Sequence, residues 1–398
     1  MISHIDADSF FASVLIRSHP GLQGKPLLAI GMGGGCVIAA TYEAKAKGVK
    51  TGMPLFEARK LVPGAIEMAA DFRETGLASK QIESVLESVC PVVQQYSIDE
   101  WFLDLRSLIG GTPENLLLWG KEIQQRVLAE TALSVSVGVA ASKLLSKMAS
   151  EERKPAGVTV IDHEAIERFL RSRPPAAIPG IGRQRMVKTD ALGLRTAWDI
   201  AQAKAQEIIP ICGKPGLHMQ RELLGERVEG FVTEAIPPKS ISRCRTFKAT
   251  ENREIAKAHA LKHLEYCVLK MRRWNMGAME VSVWLRTPDF AYKSAHRKLG
   301  KLAVTCDDIA GAALSALGSL TWHGQRFNQI GLALSGLRNA DIRQQSLFDD
   351  SERVIGMEKL QAAMDSLHSK FGRDSITRAT ALPVSSGTEK GLEMSIVE

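Results

Sequence analysis

At 398 residues the chain exceeds one ordinary domain, and the length fits two to four domains. A hydrophobic fraction of 45% supports real cores and excludes an intrinsically disordered chain, while a net charge of +7 makes an anionic partner plausible. The six cysteines (Cys36, Cys90, Cys212, Cys244, Cys267, Cys306) include no C-x-x-C pair, which argues against a zinc ribbon, a redox motif or a disulfide framework and fits a reducing compartment. No apolar run of about 18 residues and no secretory leader is present, so a cytoplasmic protein without membrane association is expected.

The opening "MISHIDADSFFASV" reads as a short strand passing through Ser9 into a helix, with Asp6 and Asp8 at the strand's C-terminal end. Two apolar strands, "PLLAI" and "CVIAA", flank "GMGGG", which is a turn rather than a phosphate loop because no Gly-Lys-Ser/Thr follows it. Helical periodicity runs through "ETGLASKQIESVLESV" and "TPENLLLWGKEIQQRVLAE", and between them "QQYSIDEWFLDL" sets Asp99 and Glu100 inside a strand-like apolar run. Carboxylates among apolar side chains are costly unless the tip faces solvent or a cation compensates them. "ALSVSVGVA" alternates with period 2, "SKLLSKMASEE" is helical and "GVTVI" is strand-like; the order predicts an α+β domain with one antiparallel sheet covered on one face.

From about 166 to 230, short helices surround the "IPGIG" turn, where Gly180 and Gly182 would let backbone N–H groups approach a phosphate. "EAIPPKS" then reads as an extended linker. Between Lys239 and Lys301 fifteen Lys/Arg stand against five Asp/Glu, which points to a nucleic-acid surface including Arg243 and Arg245. His259 and His263 lie four apart on a helix but lack the Glu of H-E-x-x-H, so a metal role is not expected. Past Arg338 comes a polar tail with one amphipathic segment, "GMEKLQAAMDSLHSKF". If Asp6, Asp99 and Glu100 converge, divalent cations with oxygen ligands would relieve their repulsion, and a pair of them can clamp an in-line phosphoryl displacement.

The motifs "HIDADSFFASV", "VIAATYEAKAKGVKTGMP", "YSIDEWFLDL", "SVSVGVAASKLLSKMAS", "ERKPAGVTVI" and "IPGIG" occur in an order that resembles the Y-family (translesion) DNA polymerases, over nearly the whole chain and with leanings to both the polymerase IV and polymerase V catalytic-subunit types. The resemblance implies an α+β right hand: a ferredoxin-like palm at 1–20 and 74–165, fingers at 21–73, a helix-hairpin-helix thumb at 166–230, a linker at 231–239, an α/β little finger at 240–340 and a tail at 341–398. It implies Asp6, Asp99 and Glu100 as ligands of two Mg²⁺, with the Ala7 carbonyl as a further oxygen; Phe10, Phe11, Tyr42, Lys45 and Lys154 around the incoming nucleotide; and Phe11 as the steric gate against a ribose hydroxyl. Lys45 stands where many relatives carry Arg, so a bidentate fork becomes a point charge. "QQSLFDD" resembles the peptide that binds the bacterial sliding clamp, through Gln344, Leu347 and Phe348. The implied activity is template-directed, low-fidelity addition of deoxynucleotides to a primer across damaged DNA, by a monomer associated with the nucleoid. The alternatives are a non-catalytic polymerase-like scaffold at the clamp, or another palm-type nucleotidyltransferase such as a nucleotide cyclase.

Overall fold

The computed structural model describes residues 1–31, 35–320, 324–342, 351–372 and 375–376. They form two compact units, Met1–Ala235 and a second that starts at Ile236, so the boundary falls in the segment read as a linker. Among the described residues no helix is long and apolar enough to cross a membrane, and the six cysteines are free thiols.

The first unit opens with β1 (Ile2–Ala7), buried along its whole length, and α1 (Phe10–Ser18). A small sheet follows from β2 (Leu27–Ile30), β3 (Val37–Ala40) and β4 (Ile66–Ala69), in the order β3-β2-β4, with α2 (Tyr42–Lys45) and α3 (Leu55–Leu61) between its strands. Next come α4 (Phe72–Glu87), β5 (Val93–Gln95), β6 (Glu100–Asp104), α5 (Leu116–Thr131), β7 (Val135–Ala140), α6 (Lys143–Glu151) and β8 (Val158–Val160). The large sheet is ordered β5-β6-β1-β7-β8. Every pairing is antiparallel except β7 with β8, which is parallel because the crossover helix α6 separates them.

Ile5, Trp101 and Val137 share one face, which packs with Ile82 of α4 and Ile123 of α5 into a continuous core. The other face is not open throughout, as the expectation of one covered face would have it. Gly138 of β7 lets α6 approach so closely that a Cβ there would lie 2.1 Å from the Ser146 carbonyl oxygen. This approach brings α6 onto the face that carries His4 and Asp6.

Five short helices complete the unit: α7 (Ile166–Arg171), α8 (Arg183–Ala191), α9 (Ala197–Gln202), α10 (Ala205–Cys212) and α11 (Pro215–Leu223). Their core contains Ile166, Leu170, Ile178, Ile200 and Ile208.

The second unit is built from β9 (Ser240–Thr250), α12 (Arg253–Arg273), β10 (Met276–Arg286), β11 (Tyr292–Ala303), α13 (Cys306–Ser319) and β12 (Phe327–Ser335). Its antiparallel sheet runs β11-β10-β12-β9, and α12 and α13 pack on one face around Leu264, Val281, Ile309, Ile330 and Leu332. The tail segment forms α14 (Ser351–Phe371), tied to this unit by Arg272 Nε on Asp365 Oδ2 at 2.5 Å and by the Cys306 N–H donating to Gln361 Oε1.

Candidate active site

Period-2 parity puts His4 and Asp6 on the same face of β1, and the antiparallel register sets Asp6 beside Glu100 of β6 and Ser136 of β7. The β5-β6 turn is clipped to the end of β1 by the Ala7 N–H donating to the Asp99 carbonyl at 2.9 Å. Asp6 is only 5% exposed. Side-chain donor atoms of His4, Asp6 and Glu100 all lie within 4.8 Å of one another. Two of the three expected carboxylates therefore converge. The third does not join the cluster: Asp99 accepts from the Ser97 hydroxyl across the turn.

Lys154 Nζ sits 2.6 Å from Asp6 Oδ1 and also meets Glu151, and Lys147 of α6 pairs with Glu100 while lying 5.4 Å from the Tyr96 ring centre. Burial pushes the Asp6 carboxyl up to about 8 against the pull of Lys154, and burial likewise raises Asp99 despite the Ser97 hydrogen bond. Burial works against the Lys154 ammonium, but Asp6 and Glu151 more than offset it and raise its pKa. Burial also pulls His4 well below its ordinary value, helped by Lys147 and Lys154. Its Nδ1 lies 2.8 Å from Ser150 Oγ, while its buried Nε2 has no hydrogen-bond partner and faces Glu100 at 3.8 Å. Desolvated carboxylates that two lysines neutralise, beside an orphaned imidazole nitrogen, form a donor set that suits a hard divalent cation. The residues present fit a metal.

Beside this cluster, α2 starts directly after β3 and supplies Tyr42 and Lys45. The Tyr42 hydroxyl donates to Asp8 Oδ1 at 3.3 Å, and Lys45 Nζ donates to Ser9 Oγ at 2.7 Å while lying 4.6 Å from the Tyr42 ring centre. Burial raises the Tyr42 phenol and lowers the Lys45 ammonium, which Lys154 lowers further. Phe11, half-buried on α1, meets Phe72 edge-on at 5.5 Å. Phe10 departs from its expected place around a nucleotide: it is 2% exposed and its ring is part of the core shared with Ile5 and Trp101. Helical geometry explains this, since consecutive side chains on α1 point about 100° apart.

Gly180 has φ +95°, and Gly182 caps α8 with open space where a Cβ would be. Arg243 and Arg245 also depart from expectation. Strand parity places them on the face of β9 that carries Ile241 and Phe247, and the Arg243 guanidinium lies 4.6 Å from the Tyr266 ring centre of α12. The face of this sheet opposite the helices carries Ser242, Cys244, Thr246 and Lys248 instead, next to Trp284 and Lys298. Gln344, Leu347 and Phe348 lie outside the described residues. Sequence reasoning missed Lys147 and His4. The signal for His4 was its parity with Asp6, and that for Lys147 its place one helical turn after Lys143.

The chain matches the impB/mucB/samB family over residues 5–151 and that family's C-terminal domain over residues 238–347. It is 30% identical to DNA polymerase IV of Caulobacter vibrioides over 96% of this chain and 94% of that protein. It is 31% identical to DNA polymerase IV of Moorella thermoacetica, covering 95% of each chain. Among solved structures, a chimeric Dbh–Dpo4 Y-family DNA polymerase aligns with a TM-score of 0.75 at 27% identity, covering 84% of this chain and 98% of that one. An insertion ternary complex of Dbh DNA polymerase aligns with a TM-score of 0.60 at 26% identity over the same shares. The family models, the relatives that match along most of the chain and the shared fold agree, and the protein belongs to the impB/mucB/samB family, the Y-family translesion DNA polymerases.

Proposed function

We propose that this DNA-directed DNA polymerase carries out nucleotide addition at the Asp6–Asp99–Glu100 cluster, with primer-template DNA and a deoxynucleoside triphosphate as substrates. The family works with divalent metal; here two Mg²⁺ would be held by the three carboxylates and the Ala7 carbonyl. The chemistry they supply when bound is neutralisation of charge at the attacking and leaving oxygens of an in-line displacement. The observation that carries the reading is the Asp6–Glu100 register under Lys154 and Lys147, two ammonium groups already seated where positive charge is needed.

Lys154, Lys45 and the Tyr42 hydroxyl bind the triphosphate by charge-assisted and neutral hydrogen bonds. Phe11, braced by Phe72, stands against the sugar and excludes a 2′-hydroxyl. Asp99 joins the other carboxylates once it releases its hydrogen bond from Ser97. The chain divides as palm (1–20 and 74–165), fingers (21–73), thumb (166–230) and little finger (240–340), with the backbone N–H groups near Gly180 and Gly182 on a DNA phosphate. The face of the second sheet opposite its helices takes the duplex through Lys248 and Lys298, in place of Arg243 and Arg245, which are half-buried on the helix-packed face. "QQSLF" at 344–348 supports a tether to a bacterial-type sliding clamp.

The test is single-nucleotide insertion on a short primer-template with Mg²⁺. Asp6→Asn and Glu100→Gln should each lower the rate by at least roughly 10²–10³-fold, the scale of losing one electrostatic group at a reacting centre. They should also weaken Mn²⁺ binding measured by calorimetry. Near-normal insertion by either variant would remove the assignment.

A further inference from the structure

Asp8 takes no part in the chemistry above, yet it is 1% exposed and held from several directions. Its Oδ1 accepts from the Ser136 hydroxyl of β7 at 2.8 Å and from the Tyr42 hydroxyl at 3.3 Å. Its Oδ2 accepts from the Ala156 N–H at 2.9 Å, in the loop that leaves α6 and carries Lys154. The backbone of Asp8 is fixed as well: its N–H donates to the Ser134 carbonyl at 3.0 Å, and its carbonyl accepts from Ser13 Oγ at 2.6 Å. All three groups facing the side chain donate, so an acceptor-only carboxylate matches them.

The three arms reach parts of the chain that are far apart in sequence. One ends at Tyr42, one ends two residues past Lys154, and the third anchors the carboxylate to β7, whose Ser136 pairs in register with Asp6. The geometry points to Asp8 as a positioning residue for the incoming nucleotide: its carboxylate holds the Tyr42 hydroxyl and the Lys154 loop in one register relative to Asp6, so that a triphosphate meets a preformed cradle. This inference rests on the proposed reading of Tyr42 and Lys154 as triphosphate ligands. A preformed cradle improves affinity by avoiding the cost of ordering its parts on binding. Loss of Asp8 therefore weakens the nucleotide more than it slows the bound complex, and leaves DNA affinity in place.

The experiment is a titration of deoxynucleotide in steady-state single-nucleotide insertion by the full chain, with thermal melting run on each variant. Tyr42→Phe and Lys154→Met come first, and each should raise KM. Asp8→Ala should raise KM about tenfold, the scale of one or two lost net hydrogen bonds, with a smaller fall in kcat. Asp8→Asn should return KM to within about threefold of the parent, because its amide oxygen can still face the Ala156 N–H while the two hydroxyls rotate to accept from its NH₂. Should Asp8→Ala fail to fold, Ser136→Ala decides, since it removes one arm from a buried site at little change in volume; it should raise KM about two- to threefold. A folded Asp8→Ala with unchanged KM, an unchanged KM in Ser136→Ala where Asp8→Ala does not fold, or an Asp8→Asn as impaired as Asp8→Ala would overturn the positioning role while the Tyr42 and Lys154 variants remain impaired. If those two variants leave KM unchanged, the reading of the cradle itself fails, and this inference goes with it.

Discussion

The two main sheets are built alike and used in opposite ways. Each is mainly antiparallel and packs helices on an apolar face, yet the first buries charged groups on its other face and the second does not. In the first unit, His4, Asp6 and Asp8 follow one another at period 2 on and just past a wholly buried strand, with Lys154 and Lys147 laid over them. In the second, the face opposite α12 and α13 sets small and polar residues such as Ser242, Thr246 and Ala333 among part-exposed or exposed charges, Glu280, Arg286 and Lys298, with Trp284 lying across Gly331 so closely that a Cβ there would meet the indole at 2.0 Å. Charges desolvated in one place can be aimed at a reacting phosphate, where a low local dielectric strengthens them. A flat face edged by lysines suits a long, uniform polyanion that is gripped at many weak points.

The largest effect that would sharpen this contrast lies at Phe11, the residue proposed to face the sugar. Phe11→Ala should raise incorporation of ribonucleotides relative to deoxynucleotides by roughly 10²-fold, the scale at which an apolar wall rejects an added hydroxyl. Competitive insertion assays with both nucleotide types read this directly, and unchanged discrimination would move the gate elsewhere.

On the second sheet, Gly331→Val must displace Trp284. The strain should cost about 1–3 kcal/mol of stability, read by denaturant unfolding, and should weaken DNA binding without lowering the insertion rate at saturating DNA. A smaller contrast comes from the core behind that sheet. His259 stacks on Phe247 at 4.8 Å, and burial, with Arg245, Lys262 and Arg243 nearby, lowers its pKa from 6.5 to about 4. An unfolded chain takes up this proton near pH 6.5 while the folded unit resists it, so the contribution is intact above pH 6.5 and declines as pH falls from 6.5 towards 4. Between pH 6.5 and 5 the loss should be about 1–2 kcal/mol. Over this range the parent should lose this stability while His259→Phe, which keeps the stack and does not titrate, should not, so their melting curves should move apart by this amount as pH falls; a parallel pH dependence would place the titration elsewhere. The smallest effect is electrostatic. Lys298→Ala should lower the slope of log DNA affinity against log salt by about one unit.

The sequence made the strands, the helices and the acids legible because apolar periodicity and turn residues are local signals. The β6 tip with Asp99 and Glu100 was readable as a costly placement, and its neighbour Asp6 as the end of a first strand. The direction of the Asp99 side chain was not, because it depends on a hydrogen bond to Ser97 that forms only in the turn. The parallel pairing of β7 with β8 was hidden for a similar reason, since a three-residue strand carries no pairing preference of its own. Arg243 and Arg245 could have been placed correctly. In "SISRCRTF" they alternate in step with Ile241 and Phe247, so parity already put them on the packed face, and a count of charges without parity overlooked it. The hub around Asp8 was beyond reach, as its three donors lie 34, 128 and 148 residues away.

The central claim is that the chemistry resides in the first unit and the main grip on the duplex in the second. It is tested most directly by measuring primer-template affinity and the single-turnover insertion rate at saturating DNA, side by side, for Asp6→Asn and for the Lys248→Ala, Lys298→Ala double variant. The account predicts that Asp6→Asn loses insertion and keeps its DNA affinity within a few-fold, while the double variant loses affinity and keeps its insertion rate once DNA is saturating. Loss of both properties in both variants, or an Asp6→Asn variant that inserts normally, would contradict it.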